Sequence, residues 1–146
     1  MRLAMFQPDI PQNLGAAIRL CACLGIGLDV IRPAAFPLDD HDLRRTAMDY
    51  ADAADITLHA GWQAFQMARA DHRLILMTTR AASDLHDFAF QPDDVLLMGR
   101  ESSGVPDAVH DTADARIRIP MAAGARSLNV VTAAAMALGE AIRQIR

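Results

Sequence analysis

Six short apolar segments constrain this chain more than any other feature: RLAMF at 2–6, LDVI at 28–31, ITLH at 56–59, LILMT at 74–78, DVLLM at 94–98 and RIRI at 116–119. Between them lie stretches with helical spacing, near 13–24, 40–50, 62–70, after Pro106 and at 128–145. Strands that alternate with helices imply a mostly parallel sheet with helices on both faces, an α/β fold. Ligands in such sheets sit beyond the carboxyl ends of the strands, so the segments after 78, 98 and 119 are the ones to read for function.

The chain of 146 residues suits a single domain spanning 1–146, and 52% hydrophobic content argues against disorder. The opening MRLAMFQPDIPQN has no apolar run of signal-peptide length, so the expected location is the cytoplasm, with no membrane association. Cys21 and Cys23 fall two apart in one helix, point to different faces and read as reduced. A net charge of −4 disfavours a protein that coats nucleic acid, but leaves a small local contact open. The five histidines lack ligand spacing, and no metal site is expected.

Two stretches hold a lone cation on a small-residue background. In IPQNLGAAIRLCACLGIGL (10–28) the only charge is Arg19, whose helical stripe is Gly15, Ala16, Ala22 and Cys23. A backbone or ligand can approach there; the other option is an arginine that reaches water or pairs with a buried carboxylate. Asn13 is most economically the N-cap of that helix, and GIG at 25–27 its C-terminal turn. In IPMAAGARSLNVVTAAAMALG (119–139) the lone charge is Arg126, and the helix that follows is apolar nearly all round. Such a helix needs cover on more than one side, from a second copy of the chain or from a position wedged between sheet and loops.

LLMGRESSGVPDAV (96–109) is a strand entering a loop and a short helix. Val105 and Pro106 stand where a P-loop needs Lys and Ser or Thr, and neither serine fits a nucleophile elbow. Read in isolation it is a tight turn with Glu101 solvated and Pro106 opening a helix. A nucleotide-dependent oxidoreductase is disfavoured, because GIG follows a helix and lacks the third glycine.

Taken together, PDIPQNLGAAIRLCACLG (8–25), DDHDLRRTAMDY (39–50), LLMGRESSGVP (96–106) and IRIPMAAGARSLNVVTAAAMAL (117–138) resemble the SPOUT class of knotted RNA methyltransferases. Within it they are similar to the TrmL (YibK) subgroup of tRNA ribose 2'-O-methyltransferases. The resemblance implies a C-terminal trefoil knot, which strand and helix periodicity does not reveal. It implies S-adenosyl-L-methionine held by the loops after Leu76, Met98 and Ile119, with Met77, Gly99, Glu101, Gly104, Ile119, Met121, Ser127, Leu128 and Asn129 as cofactor-binding positions. It implies methylation of the wobble ribose in a tRNA anticodon loop, with Arg19 and Asn13 as catalytic positions and Arg44, Arg45 and Arg126 meeting RNA phosphates. It also implies a homodimer through the last helix, with Arg19 of one subunit near the cofactor loops of the other. The rival is a knotted RNA-binding protein that keeps the pocket without turnover. Subgroup members can carry a tyrosine near the position of Gly139; the only tyrosine here is Tyr50.

Overall fold

The computed structural model describes residues 1–39, 41–42, 50 and 54–146. The expected helix near 40–50, and with it Arg44 and Arg45, therefore lies almost wholly outside the described residues. Among the described residues seven strands form one sheet: β1 (Arg2–Phe6), β2 (Gly27–Ile31), β3 (Ile56–His59), β4 (Leu74–Met77), β5 (Ser83–Asp84), β6 (Val95–Met98) and β7 (Ala115–Arg118). Their order is β3-β2-β1-β6-β4-β7-β5, and each neighbouring pair is parallel.

The central strands are apolar on both faces because both faces are covered. Leu3, Met5, Leu28, Val30, Ile75, Leu96 and Met98 face one core layer, with α1 (Pro11–Leu24) and α4 (Val130–Ile145) packed on it. Ala4, Phe6, Leu76, Val95 and Leu97 face the other, beneath Phe65 of α2 (Trp62–Ala68) and Val109 of α3 (Asp107–Thr112). The expected two-sided arrangement is what forms. β5 was not expected; two residues are too few for periodicity to register, and it is held at the sheet edge by pairing with β7 and by the Arg118–Asp84 ion pair.

Helix α1 begins at Pro11 and ends at Gly25, whose φ of 65° gives the left-handed cap expected of GIG. Asn13 is not the N-cap. Ile10 occupies that position with extended backbone, and proline at the first helical residue moves the start two residues ahead of the expected one. Cys21 is buried and Cys23 exposed, as different faces require, and burial pushes the Cys21 thiol up to about 12.

Helix α4 buries Ala133, Ala134, Ala137, Leu138 and Ala141 against the sheet and α1. Its other face, with Thr132, Met136 and Gly139, is exposed, and Met136 keeps 42% of its surface. The helix expected to be apolar nearly all round thus has one buried and one exposed face.

Candidate active site

The strand register sets the site. Met77 lies opposite both Met98 and Ile117, so β4, β6 and β7 end level and their following loops emerge side by side. Between those loops is a cleft of about 780 Å³. Every sequence-expected cofactor position, Met77, Gly99, Glu101, Gly104, Ile119, Met121, Ser127, Leu128 and Asn129, lines it, and so does Asn13.

The middle wall is a glycine-dependent loop. Arg100 and Gly104 exchange backbone hydrogen bonds of 2.9 Å in both directions, closing the loop on itself. This closure leaves no space at Gly99, where a Cβ would sit 2.7 Å from the Gly104 backbone. Gly104 itself has φ +68°, which favours glycine. Main-chain groups can thus form this wall of the cleft directly.

A line of hydrogen bonds joins the loop to two helices. The Glu101 carboxylate accepts from the Asp9 N–H at 2.8 Å and from Asn13 Nδ2 at 3.1 Å. Asn13 Oδ1 in turn accepts from Asn129 Nδ2 at 3.0 Å. Asn129 Oδ1 accepts from the N–H groups of Val131 and Thr132 at 2.9 and 3.2 Å, so the side-chain cap expected of Asn13 is made instead by Asn129, at the start of α4. Glu101 is therefore no solvated turn residue: it ties the β6 loop to α1.

Asp9 lies behind the same loop. Its carboxylate accepts from Arg100 Nη2 at 2.7 Å and Nε at 3.1 Å, and from the Ser102 N–H at 3.1 Å and hydroxyl. The Arg100 guanidinium and then Ser102 hold its carboxyl down at about 2.

Other cleft residues went unmarked in the sequence. Thr78, Thr79 and Arg80 follow β4, and Val105 to Asp107 open α3. The strand-end rule pointed to the first group, but nothing in their chemistry set them apart. Arg80 pairs with Asp107 at 3.0 Å, Arg118 with Asp84 at 2.7 Å and Arg100 with Asp9 at 2.7 Å, so all three arginines lining the cleft are already matched by carboxylates.

Arg19 and Arg126 are placed differently from the cofactor positions. Neither lines the cleft, and both are exposed. The Arg19 guanidinium lies 5.1 Å from the centre of the Tyr50 ring, a cation–π contact on the outer face of α1. Gly139, near which subgroup members can carry a tyrosine, has open space around it. Among the described residues Asp39, His41 and Asp42 bring ligand atoms within 4.8 Å of one another, away from the cleft lining and largely exposed.

A cleft with backbone-rich walls, apolar side chains and a few fixed polar groups suits a small nucleoside-like ligand. The residues present fit S-adenosylmethionine: Met77, Met98, Ile119, Met121 and Leu128 supply apolar cover, and the close approach of Gly99 to Gly104 leaves main chain open to an adenosyl group.

Comparison with known proteins agrees with this geometry. The chain is 55% identical, over 99% of its length and 92% of the relative's, to a tRNA (cytidine(34)-2'-O)-methyltransferase of Ancylobacter novellus. A solved structure described by the 2-OH methylation of C/U34 on tRNA superposes with a TM-score of 0.90 at 38% identity, covering 98% of this chain and 94% of that one. The SpoU methyltransferase AviRb from Streptomyces viridochromogenes, solved with the cofactor AdoMet, superposes with a TM-score of 0.85 at 28% identity, over 99% of this chain and 60% of that one. The family model described as the SpoU rRNA Methylase family matches residues 1–139, and with the parallel sheet and the three-loop cleft already in place, this chain belongs to that family.

Proposed function

We propose that this chain is a tRNA (cytidine(34)-2'-O)-methyltransferase, using S-adenosyl-L-methionine to methylate the ribose 2'-hydroxyl of the wobble nucleotide in the anticodon loop. The observation that carries the reading is the convergence of all nine expected cofactor positions on one cleft, in a chain 55% identical to a protein of that name. When bound, the cofactor supplies an electrophilic methyl group on a sulfonium.

The work left to the protein is orientation and charge stabilisation. A neutral ribose hydroxyl is a poor nucleophile, and negative charge grows on its oxygen as the proton leaves. Arg19 is the residue for that charge. A guanidinium does not give up its proton in proteins, so it acts as a fixed cation beside the nascent alkoxide and not as a base. Asn13 has its amide oxygen and nitrogen both engaged, by Asn129 and Glu101, and so contributes by bracing the cleft wall. Alignment of hydroxyl and methyl by these walls supplies much of the remaining rate.

Arg19 does not line the cleft of its own chain, which supports a reading in which it serves the cleft of a second copy. The exposed face of α4 and the small-residue stripe of α1 carrying Ala16, Arg19 and Cys23 lie on helices that pack against each other. A homodimer through these helices would cover both faces and present Arg19 to the partner's cleft. Mixing Arg19→Ala with Gly99→Ala protein tests the sharing. Random exchange rebuilds one intact site in half of the dimers, so at cofactor concentrations too low to saturate Gly99→Ala about a quarter of wild-type activity returns if the site is shared; nothing above the variants' own residual activity returns if each chain works alone.

Arg126, with Arg44 and Arg45, would meet anticodon phosphates. Threading of the segment 119–129 into a trefoil knot belongs to the same proposal, and a crystallographic chain trace checks it. No helix among the described residues is long and apolar enough to cross a membrane, and a cytoplasmic location beside tRNA follows from the proposed substrate. The direct test of the reaction is labelled-methyl transfer to an anticodon stem-loop. Incorporation is expected with a 2'-hydroxyl at nucleotide 34 and not with a 2'-deoxy nucleotide there; equal incorporation into both would place the methyl elsewhere.

A further inference from the structure

Asp9 stands out among the groups that the mechanism leaves unused. It does not line the cleft, yet three consecutive residues of the cofactor loop are tied to it. Its carboxylate takes two hydrogen bonds from the Arg100 guanidinium and two from Ser102, while its own N–H donates to Glu101.

What Asp9 hangs from is fixed. Gln7 turns the chain out of β1 with φ 46°, its N–H bonded to the Ile31 carbonyl at 2.9 Å. Pro8 is buried, and its carbonyl accepts from the Ala35 N–H at 3.0 Å. The loop on the other side has, within itself, the Arg100 to Gly104 backbone pair to hold its shape. That pair fixes the curl of the loop but not its distance from α1. We propose that Asp9 is a positioning residue for the 99–104 cofactor loop, acting through Arg100, Glu101 and Ser102 to hold that wall of the cleft in place against the start of α1.

The geometry favours this over an incidental surface ion pair. The Asp9 side chain is 14% exposed and Arg100 34%, so the ion pair is partly shielded from water. Two guanidinium nitrogens and two donors of Ser102 also fix direction as well as distance. Replacing the carboxylate by an amide removes the charge and one acceptor, which leaves donors of Arg100 or Ser102 unpaired.

The inference rests on the proposed cofactor, and calorimetry with S-adenosylhomocysteine tests it apart from turnover. Asp9→Asn is expected to weaken binding about tenfold, the usual cost of losing a charge-assisted hydrogen bond. The KM for tRNA should stay within about threefold, since the residue acts on the cofactor side. Arg100→Met should lose affinity too, and the double variant should be no weaker than the weaker single one, because both changes cut the same tether. Wild-type affinity in a folded Asp9→Asn protein, or losses that multiply in the double variant, would overturn the proposal. If Asp9→Asn does not fold, Ser102→Ala removes a single hydroxyl bond to the carboxylate; a loss of about threefold to tenfold, at the lower end for a partly exposed bond to a charged group, is expected and no loss overturns. A wild-type chain that binds S-adenosylhomocysteine but methylates no tRNA would count against the reaction and leave this result standing.

Discussion

Gly99→Ala should separate cofactor binding from the rest of the fold. The added Cβ would lie 2.7 Å from both the Cα and the carbonyl carbon of Gly104, whereas ordinary contact begins at 3.4 Å. Loop backbone must therefore retreat by about 0.7 Å, since no flexible side chain is available to yield. The retreat strains or breaks the reciprocal 2.9 Å bonds between Arg100 and Gly104, and two such bonds contribute about 1–3 kcal/mol together. Gly99 lies at the edge of the sheet's end and not in the core, so global stability should fall only by that amount. Cofactor affinity should fall further: displacement of a cleft wall by most of an ångström weakens S-adenosylhomocysteine binding by about tenfold to a hundredfold. Thermal unfolding and titration calorimetry on the same preparation make the comparison. Wild-type affinity in a folded variant would show that the wall of the cleft is not held by this close approach.

Further outcomes follow from other groups. The Asp9 carboxyl sits at about 2 in the folded chain against an ordinary 3.8. It thus stabilises the fold above pH 4 or so, and that contribution, at most about 2 kcal/mol, is lost as pH falls from about 4 toward 2. Urea midpoints should drop across that window in wild type and drop less in Asp9→Asn. Arg19→Ala should bind S-adenosylhomocysteine normally, since the residue lies outside the cleft of its own chain, while kcat falls by about a hundredfold or more; unchanged kcat would remove Arg19 from the mechanism. Tyr50→Leu, which removes the ring beneath Arg19, should lower kcat several-fold where Tyr50→Phe does not, and equal effects would exclude ring stacking as the cause. Met136→Asp places a charge on the exposed face of α4; light scattering should then report a shift toward monomer, and an unchanged mass would move the dimer interface elsewhere.

The sheet was legible because buried parallel strands are short, nearly continuous apolar runs. Each of the six expected segments became a strand within a residue or so. Helix starts were harder. Asn13 and Asn129 are both amides near a helix start, and only tertiary placement decides that Asn129 caps a backbone while Asn13 spans between Glu101 and Asn129. The positions that line the cleft were legible through three strand ends and the family motifs on them, whereas Thr78 to Arg80 and Val105 to Asp107 were not, because an exposed arginine such as Arg80 after a strand has no distinguishing chemistry. The Asp9 tether was hidden for a different reason: its partners lie more than ninety residues away, at Arg100 and Ser102, and no local pattern reports such a contact. Arg19 shows the reverse, a residue conspicuous in sequence on its small-residue stripe whose place in one copy of the chain leaves it outside the cleft.

The reaction itself is tested most directly by incubating total tRNA with the protein and labelled S-adenosylmethionine, then mapping modified nucleosides by mass spectrometry of nuclease fragments. A ribose-methylated pyrimidine at position 34, absent when Arg19→Ala protein is used, is the predicted result. No 2'-O-methylated nucleoside anywhere in the tRNA pool, from protein that binds S-adenosylhomocysteine, would contradict the account.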